Sequence, residues 1–158
     1  MPYIYADPFL CTGCEICELV CSFTYFHVLN PEKSRIKVVR REPAIDLVMA
    51  CRNCEEPPCL NSCPSGAIKR TPRGIIIIDE ELCDGCGRCV EACPLNAIHI
   101  PPREKIPIKC VVCGACVRMC PVNCLKIAYD AEEALDKRRG YAEKLEDIVL
   151  TMRGYRGS

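Results

Sequence analysis

Residues 63–94 read C-P-S-G-A-I-K-R-T-P-R-G-I-I-I-I-D-E-E-L-C-D-G-C-G-R-C-V-E-A-C-P. The stretch runs from a Cys-Pro pair through a short helix and a polar turn at 71–74 into a strand at 75–78, which delivers the chain into a second group of cysteines. Cys83, Cys86, Cys89 and Cys93 of that group follow the spacing C-x2-C-x2-C-x3-C, with Pro94 directly after. The same spacing recurs in C-T-G-C-E-I-C-E-L-V-C at 11–21 and in C-V-V-C-G-A-C-V-R-M-C-P at 110–121. C-R-N-C-E-E-P-P-C-L-N-S-C-P at 51–64 is a further copy with two extra residues between its second and third cysteines. The chain is built of repeats.

Three thiolates on one tight loop can wrap three irons of a cubane while the loop N–H groups point at its sulfurs. Glycines at 13, 85, 87 and 114 suit such turns. A lone C-x2-C pair would serve zinc equally well, but zinc sites set two such pairs across a gap. Three close cysteines plus a fourth and a proline, repeated along the chain, match the bacterial ferredoxin pattern, in which the fourth cysteine ligates the other cluster of a pair. That cysteine is expected to begin a helix leading away from the loop. Four [4Fe–4S] clusters are the expected cofactors.

Blocks joined by helix, turn and strand pair in space. The second and third blocks then supply Cys51, Cys54, Cys59 and Cys93 to one cluster and Cys83, Cys86, Cys89 and Cys63 to another. By elimination the first and fourth blocks pair around the outside, giving Cys11, Cys14, Cys17 and Cys120, and Cys110, Cys113, Cys116 and Cys21. Sixteen of the seventeen cysteines are used. Aligning C-P-S-G-A-I at 63, C-P-L-N-A-I at 93 and C-P-V-N-C-L at 120 sets Cys124 where the other copies have Ala67 and Ala97. Cys124 is therefore expected to be a small apolar residue packed in the short helix beside a cluster, not a ligand.

Composition narrows the class further. The 158 residues contain three Phe and no Trp against thirteen Pro, so ordinary core-formers are thin. Lys plus Arg equals Asp plus Glu at 21 each, which suggests neither a nucleic-acid partner nor a polybasic membrane patch. Oxidised clusters with their thiolates carry about −2 each, so the loaded protein would stand near −8. No apolar run approaches the roughly eighteen residues of a bilayer span, and the opening M-P-Y-I-Y-A-D-P-F is unlike a signal segment. A soluble, cytoplasmic protein is expected. Gln is absent while Glu, Lys, Arg and Ile abound, a balance seen in proteins from hot environments.

Four blocks in this order, the second with C-x2-C-E-x-P-P-C-x3-C-P, resemble the four-cluster ferredoxin-like subunits of molybdenum and tungsten enzymes, the dimethyl sulfoxide reductase iron–sulfur subunit type, over residues 3 to 128. In that family the first block pairs with the fourth and the second with the third. The resemblance implies an α+β fold, a tandem, pseudo-symmetric dicluster ferredoxin with short strands and helices around the clusters. The fourth block lacks the longer insertion of the larger members. With F-H-V-L-N-P-E-K-S-R-I-K-V-V-R at 26–40, this compact form looks most like the small subunits of tungsten-dependent aldehyde oxidoreductases. Such a subunit would pass electrons between a large tungsten- or molybdenum-bearing catalytic subunit and a soluble ferredoxin-type carrier. A partner of a hydrogenase, formate dehydrogenase or carbon monoxide dehydrogenase, and a free-standing polyferredoxin, are the alternatives.

The expected layout is a four-cluster domain at 1–129, with an inner unit at 51–100, an outer unit from 3–21 and 106–129, and a ribbon insertion at 22–50. Residues 35–41 alternate as a half-exposed strand, and Lys33, Arg35, Lys37, Arg40 and Arg41 would form either a basic, partner-facing edge or an ordinary solvated strand. Beyond 129 a C-terminal helical extension at 130–158 carries Tyr141, Leu145, Ile148, Val149 and Met152 at helical spacing. His27 and His99 lie away from every block and are not expected to be ligands. Motifs for nucleotide binding and zinc hydrolysis are absent, which points to a non-catalytic electron-transfer subunit.

Overall fold

The computed structural model describes residues 1–41 and 45–129. The expected C-terminal helical extension lies outside the described residues. Among those described, four antiparallel two-stranded ribbons alternate with short helices. β1 (Tyr3–Ala6) pairs with β8 (Leu125–Ala128), so the first and last described strands meet. β2 (Lys37–Arg41) pairs with β3 (Ile45–Met49), β4 (Ile68–Arg70) with β5 (Ile76–Ile78), and β6 (Ile98–His99) with β7 (Ile108–Lys109). Helix α1 (Ile16–Phe26) packs on α4 (Ala115–Met119), and α2 (Pro58–Asn61) on α3 (Arg88–Ala92).

The helices differ from the sequence expectation in one respect that has a simple cause. In the second, third and fourth blocks the helix carries the third cysteine and ends before or at the fourth; it does not begin there. A proline follows the fourth cysteine in each, and a residue before proline is steered out of the α region. Cys93 accordingly sits at φ −80, ψ 109, and Cys120 at φ −69, ψ 116. The first block has Ser22 after Cys21, and α1 continues for another turn to Phe26. Each Cys-Pro leads into a turn and then a strand, so Cys124 sits in the turn before β8, not in a helix.

β3 is an element the sequence reading leaves unassigned; it turns the 35–41 strand into a ribbon. Among the described side chains, the basic residues of that region are engaged within the chain and do not form a free edge. Lys33 reaches Glu104 at 2.6 Å, Lys37 lies 3.7 Å from Glu18, and Arg40 bonds Asp46 at 3.0 Å and the Gly13 carbonyl at 2.8 Å. Arg35 precedes β2, and its guanidinium lies 3.7 Å from the centre of the Tyr25 ring.

Among the described residues three buried clusters form the core: a small one of Tyr3, Tyr5 and Ala128, and two larger ones in which, taken together, cysteine is the commonest member. One gathers Ile4, Ile36, Ala50 and Leu125 around Cys17, Cys21, Cys51, Cys110, Cys116, Cys120 and Cys124. The other gathers Ile68, Ile76 and Ile98 around Cys59 and Cys89. Cys93 packs against both and joins them. Ile76 is 1% exposed and borders the thiols of the second cluster. Ile76→Ala is expected to cost about 2–5 kcal/mol, since a core this small cannot collapse around the gap. Thermal unfolding of the loaded variant should fall by several degrees or more, monitored by loss of visible absorption.

Candidate metal centres

In three of the four blocks the cysteine loop bends through positive φ on both sides of its second cysteine. Before the second cysteine stand Gly13 (φ 63), Asn53 (φ 48), Gly85 (φ 73) and Val112 (φ 55). After it stand Glu15 (φ 61), Gly87 (φ 76) and Gly114 (φ 76), each of them the residue that opens the following helix. Glycine takes this conformation without penalty, and at Gly85 an added Cβ would also meet the Lys105 carbonyl at 2.7 Å. Val112 takes it as a β-branched residue, a strained choice. The bend turns backbone donors inward: the N–H groups of Asn53 and Val112 point at Cys51 and Cys110 Sγ from 3.5 and 3.4 Å.

A second bend comes after every Cys-Pro. Gly66, Asn96 and Asn123, each three residues after the fourth cysteine, have φ of 66, 48 and 50. The turn folds back so that later N–H groups face the sulfur, as Ala97 N–H does toward Cys93 Sγ at 3.4 Å. Burial acts to raise the Cys120 thiol, yet the N–H groups of Leu125, Cys124 and Val122 hold it below the usual thiol range. At Cys63 burial again acts upward and is outweighed by the Ser65 hydroxyl and the N–H groups of Ile68 and Ala67, which lower that thiol too. The sequence reading does not anticipate this turn, although Gly or Asn at the third place after the cysteine of Cys-Pro is a legible sign of it.

The loops and turns bring the thiols together in fours. Cys11, Cys14, Cys17 and Cys120 line one cavity of about 290 Å³, with Cys124 on its wall. Cys21, Cys110, Cys113 and Cys116 line another of about 270 Å³. Cys51, Cys54, Cys59 and Cys93 line a third of about 320 Å³. Around Cys89, whose thiol is raised first by burial, the neighbouring thiols are Cys83, Cys63 and Cys86. The cavity walls are otherwise largely apolar, with Val38, Val48 and Leu125 in the first, Ile4 and Ile36 in the second, and Pro57 and Ile98 in the third; Thr12 and Glu15 also line the first, Arg35 the second and Arg52 the third.

Among the described residues no three His, Cys, Asp or Glu side chains converge closely enough for a single metal ion. Four thiols disposed around an apolar space, with N–H groups aimed at the sulfurs, fit a cubane cluster, whose four irons each take one thiolate. His27 and His99 stand apart from these cavities, and His99 instead meets the Glu32 carbonyl at 3.2 Å. Cys124 Sγ lies 3.4 Å from Cys120 Sγ and is buried.

The four sets adjoin in a definite order. Cys89 and Cys59 share one buried cluster, Cys110 feels the charge of Cys51, and Cys116 that of Cys17. The set around Cys89 is therefore followed by that of Cys51, then that of Cys110, then that of Cys17. Cys86 at one end and Cys14 at the other are exposed, and Cys113 also reaches the surface.

Comparisons with known proteins agree with this chemistry. A family described as the 4Fe-4S dicluster domain matches residues 46–130, and a 4Fe-4S binding domain matches residues 8–24. The chain is 38% identical over 100 residues to the aliphatic sulfonate oxidoreductase, polyferredoxin-like subunit, of Pyrococcus furiosus, a match covering 63% of this chain and 58% of that protein. It is 38% identical over 111 residues to the electron transport protein HydN of Escherichia coli, covering 66% and 62% respectively. The thiosulfate reductase electron transfer subunit PhsB of Salmonella typhi is 36% identical over 112 residues, covering 63% and 56%. The chain thus spans less than two thirds of the length of these relatives.

Burial has a consequence for loading. In the cluster-free chain it pushes Cys17 and Cys116 up to about 12, and Cys59 and Cys110 up to about 11, from 9.0. These acids are raised on folding, so their contribution to cluster-free stability is whole below pH 9.0 and is lost as pH climbs through about 11 to 12. Loading has the opposite sense, because each thiol that becomes a ligand near neutrality must release its proton. Reconstitution of the cluster-free chain with iron and sulfide is expected to strengthen as pH rises from about 6 to about 8, with proton release measurable in weakly buffered solution.

Proposed function

The chain belongs to the 4Fe-4S dicluster domain family, and on that premise we propose that it is a non-catalytic electron-transfer subunit carrying four [4Fe–4S] clusters. Their ligands are Cys11, Cys14, Cys17 and Cys120; Cys51, Cys54, Cys59 and Cys93; Cys83, Cys86, Cys89 and Cys63; and Cys110, Cys113, Cys116 and Cys21. The observation that carries this reading is the grouping of thiols into adjoining sets of four, each taking its fourth member from a different block. A cubane, when bound, accepts and returns one electron at a time. The protein's own part is to hold the four sites in line, to exclude water from them, and to present N–H groups to their sulfurs.

The partners fit the same reading: a large catalytic oxidoreductase subunit with tungsten or molybdenum, an aldehyde oxidoreductase first among them, at one end, and a soluble ferredoxin-type carrier at the other. The exposed Cys14 and Cys86 at opposite ends of the series support two points of electron entry and exit. No helix among the described residues is long and apolar enough to cross a membrane.

The loaded protein should hold sixteen irons and absorb broadly near about 400 nm; a colourless protein would end this reading. The crossed ligation has its own test. Because Cys124 can stand in for its neighbour 3.4 Å away, the variant to make is Cys120→Ser together with Cys124→Ala. It is expected to lose or alter the cluster of Cys11, Cys14 and Cys17 and to leave that of Cys110, Cys113 and Cys116 intact, as read by electron paramagnetic resonance and iron content. Purification from the native cell should bring down a large protein containing tungsten or molybdenum, whereas recovery of the chain alone would point to a free polyferredoxin.

A further inference from the structure

Lys109 is 2% exposed, yet it lies between two of the thiol cavities. Its Nζ donates to the Cys110 carbonyl at 3.0 Å and to the Ile76 carbonyl, and it stands 3.5 Å from Asn53 Oδ1. All three neighbours are neutral oxygens. The three oxygens match the three N–H donors of a lysine side chain. Ile76 and Cys59 line the cavity on one side of it, and Cys110 lines the cavity on the other. Its charge is felt by Cys59 and by Cys110 alike.

Arg35 is a second cation on the Cys110 side. It lines the cavity of Cys21, Cys110, Cys113 and Cys116, stacks on Tyr25 at 3.7 Å, and has a buried Nε with no hydrogen-bond partner in the protein. Its backbone N–H donates to Cys21 Sγ at 3.2 Å. Among the described residues no carboxylate forms an ion pair with Lys109 or Arg35. At the two end sets carboxylates stand beside the thiols, and the cations near the Cys17 set, Lys37 and Arg40, are paired with Glu18 and Asp46. Buried Glu18 follows Cys17 directly, and the Asp84 carboxylate accepts from Cys86 N–H at 3.1 Å.

We propose that Lys109 and Arg35 make the cluster of Cys21, Cys110, Cys113 and Cys116 the most easily reduced of the four, an internal resting place for the electron. The inference rests on the ligand sets given above. A cubane with its thiolates gains one negative charge on reduction, so an unneutralised cation held beside it in a water-poor interior favours the reduced form. A carboxylate beside a cluster disfavours it. Lys109 acts on two clusters. Arg52 also lines the cavity of Cys51, Cys54, Cys59 and Cys93, but there Glu55 and Glu56 follow Cys54 directly, whereas the loop 110–120 contains no carboxylate, so the site flanked by Lys109 and Arg35 is favoured most.

The test is a potentiometric titration of the sixteen-iron protein followed by electron paramagnetic resonance. The first electron is expected to enter the cluster whose signal is altered by Cys113→Ser. Lys109→Gln and Arg35→Gln should each make reduction of that cluster at least tenfold less favourable, about 59 mV for a one-electron couple. Lys109→Gln should also lower the potential of the cluster of Cys51, Cys54, Cys59 and Cys93, and the cluster of Cys11, Cys14 and Cys17 should not move in either variant. Sixteen irons with a different cluster reduced first, or with potentials unmoved in both variants, would overturn the inference alone. Fewer than sixteen irons in the unmodified chain would overturn the ligand sets and this inference together. Should a Gln variant fail to assemble, the order of reduction in the unmodified chain still decides.

Discussion

Sulfur has to be reached by backbone N–H groups from several directions at once, and the short, kinked elements of this chain are a result of that requirement. A helix or strand of ordinary length presents its N–H groups to its own ladder and has none to spare. Elements of two to five residues, separated by bends at positive φ, leave N–H groups free to face a thiolate. The described helices are short for the same reason, and the exception, α1, is the one whose fourth cysteine is not followed by proline. Cysteines therefore occupy the place that large aliphatic and aromatic side chains hold in other cores. Such a core has little to hold it together until the clusters join it, and cluster loading and folding are coupled.

Much of this was legible in the sequence because the spacing of cysteines is a geometric statement. Three thiols at steps of three residues imply one tight loop, a fourth followed by proline implies a chain leaving that loop, and alignment of the Cys-Pro copies singled out Cys124. The direction of the helices was not legible from those features, since a helix ending at the fourth cysteine and one beginning there have similar sequences. The constraint that proline places on the residue before it was the available clue. β3 escaped notice because I-D-L-V-M is short and pairs with a strand whose own alternation is imperfect. The left-handed conformations of Glu15, Asn53 and Val112 were visible only by aligning them with glycines at the same place in other blocks.

Lys109 and Arg35 belong to a different class of omission. Charged residues beside a strand are read as solvated unless something says otherwise, and for most lysines that reading is right. Here the register of β7 against β6 fixes which way Lys109 points, and the register was not available from the chain alone. Arg35 is held against Tyr25, ten residues earlier on α1, a contact that depends on how α1 meets the ribbon. Both positions combine tertiary placement with a charge that composition counts cannot locate.

The buried Lys109 also bears on why the middle of the molecule holds together. An isolated ammonium in an apolar interior is strongly disfavoured, and so is a set of thiolates. Carbonyl oxygens around Lys109 satisfy its hydrogen bonds but do not neutralise its charge. Each cluster with its thiolates carries net negative charge, about −2 when oxidised, so the two unfavourable burials offset one another across a few residues. In the chain without clusters the cation has no counter-charge and the thiols hold their protons, as their raised values require. The same contacts that would set where an electron rests thus also set how far the fold depends on being loaded. A substitution at Lys109 acts on both, with opposite sign: removing the charge eases folding of the empty chain and weakens the hold on the reduced cluster.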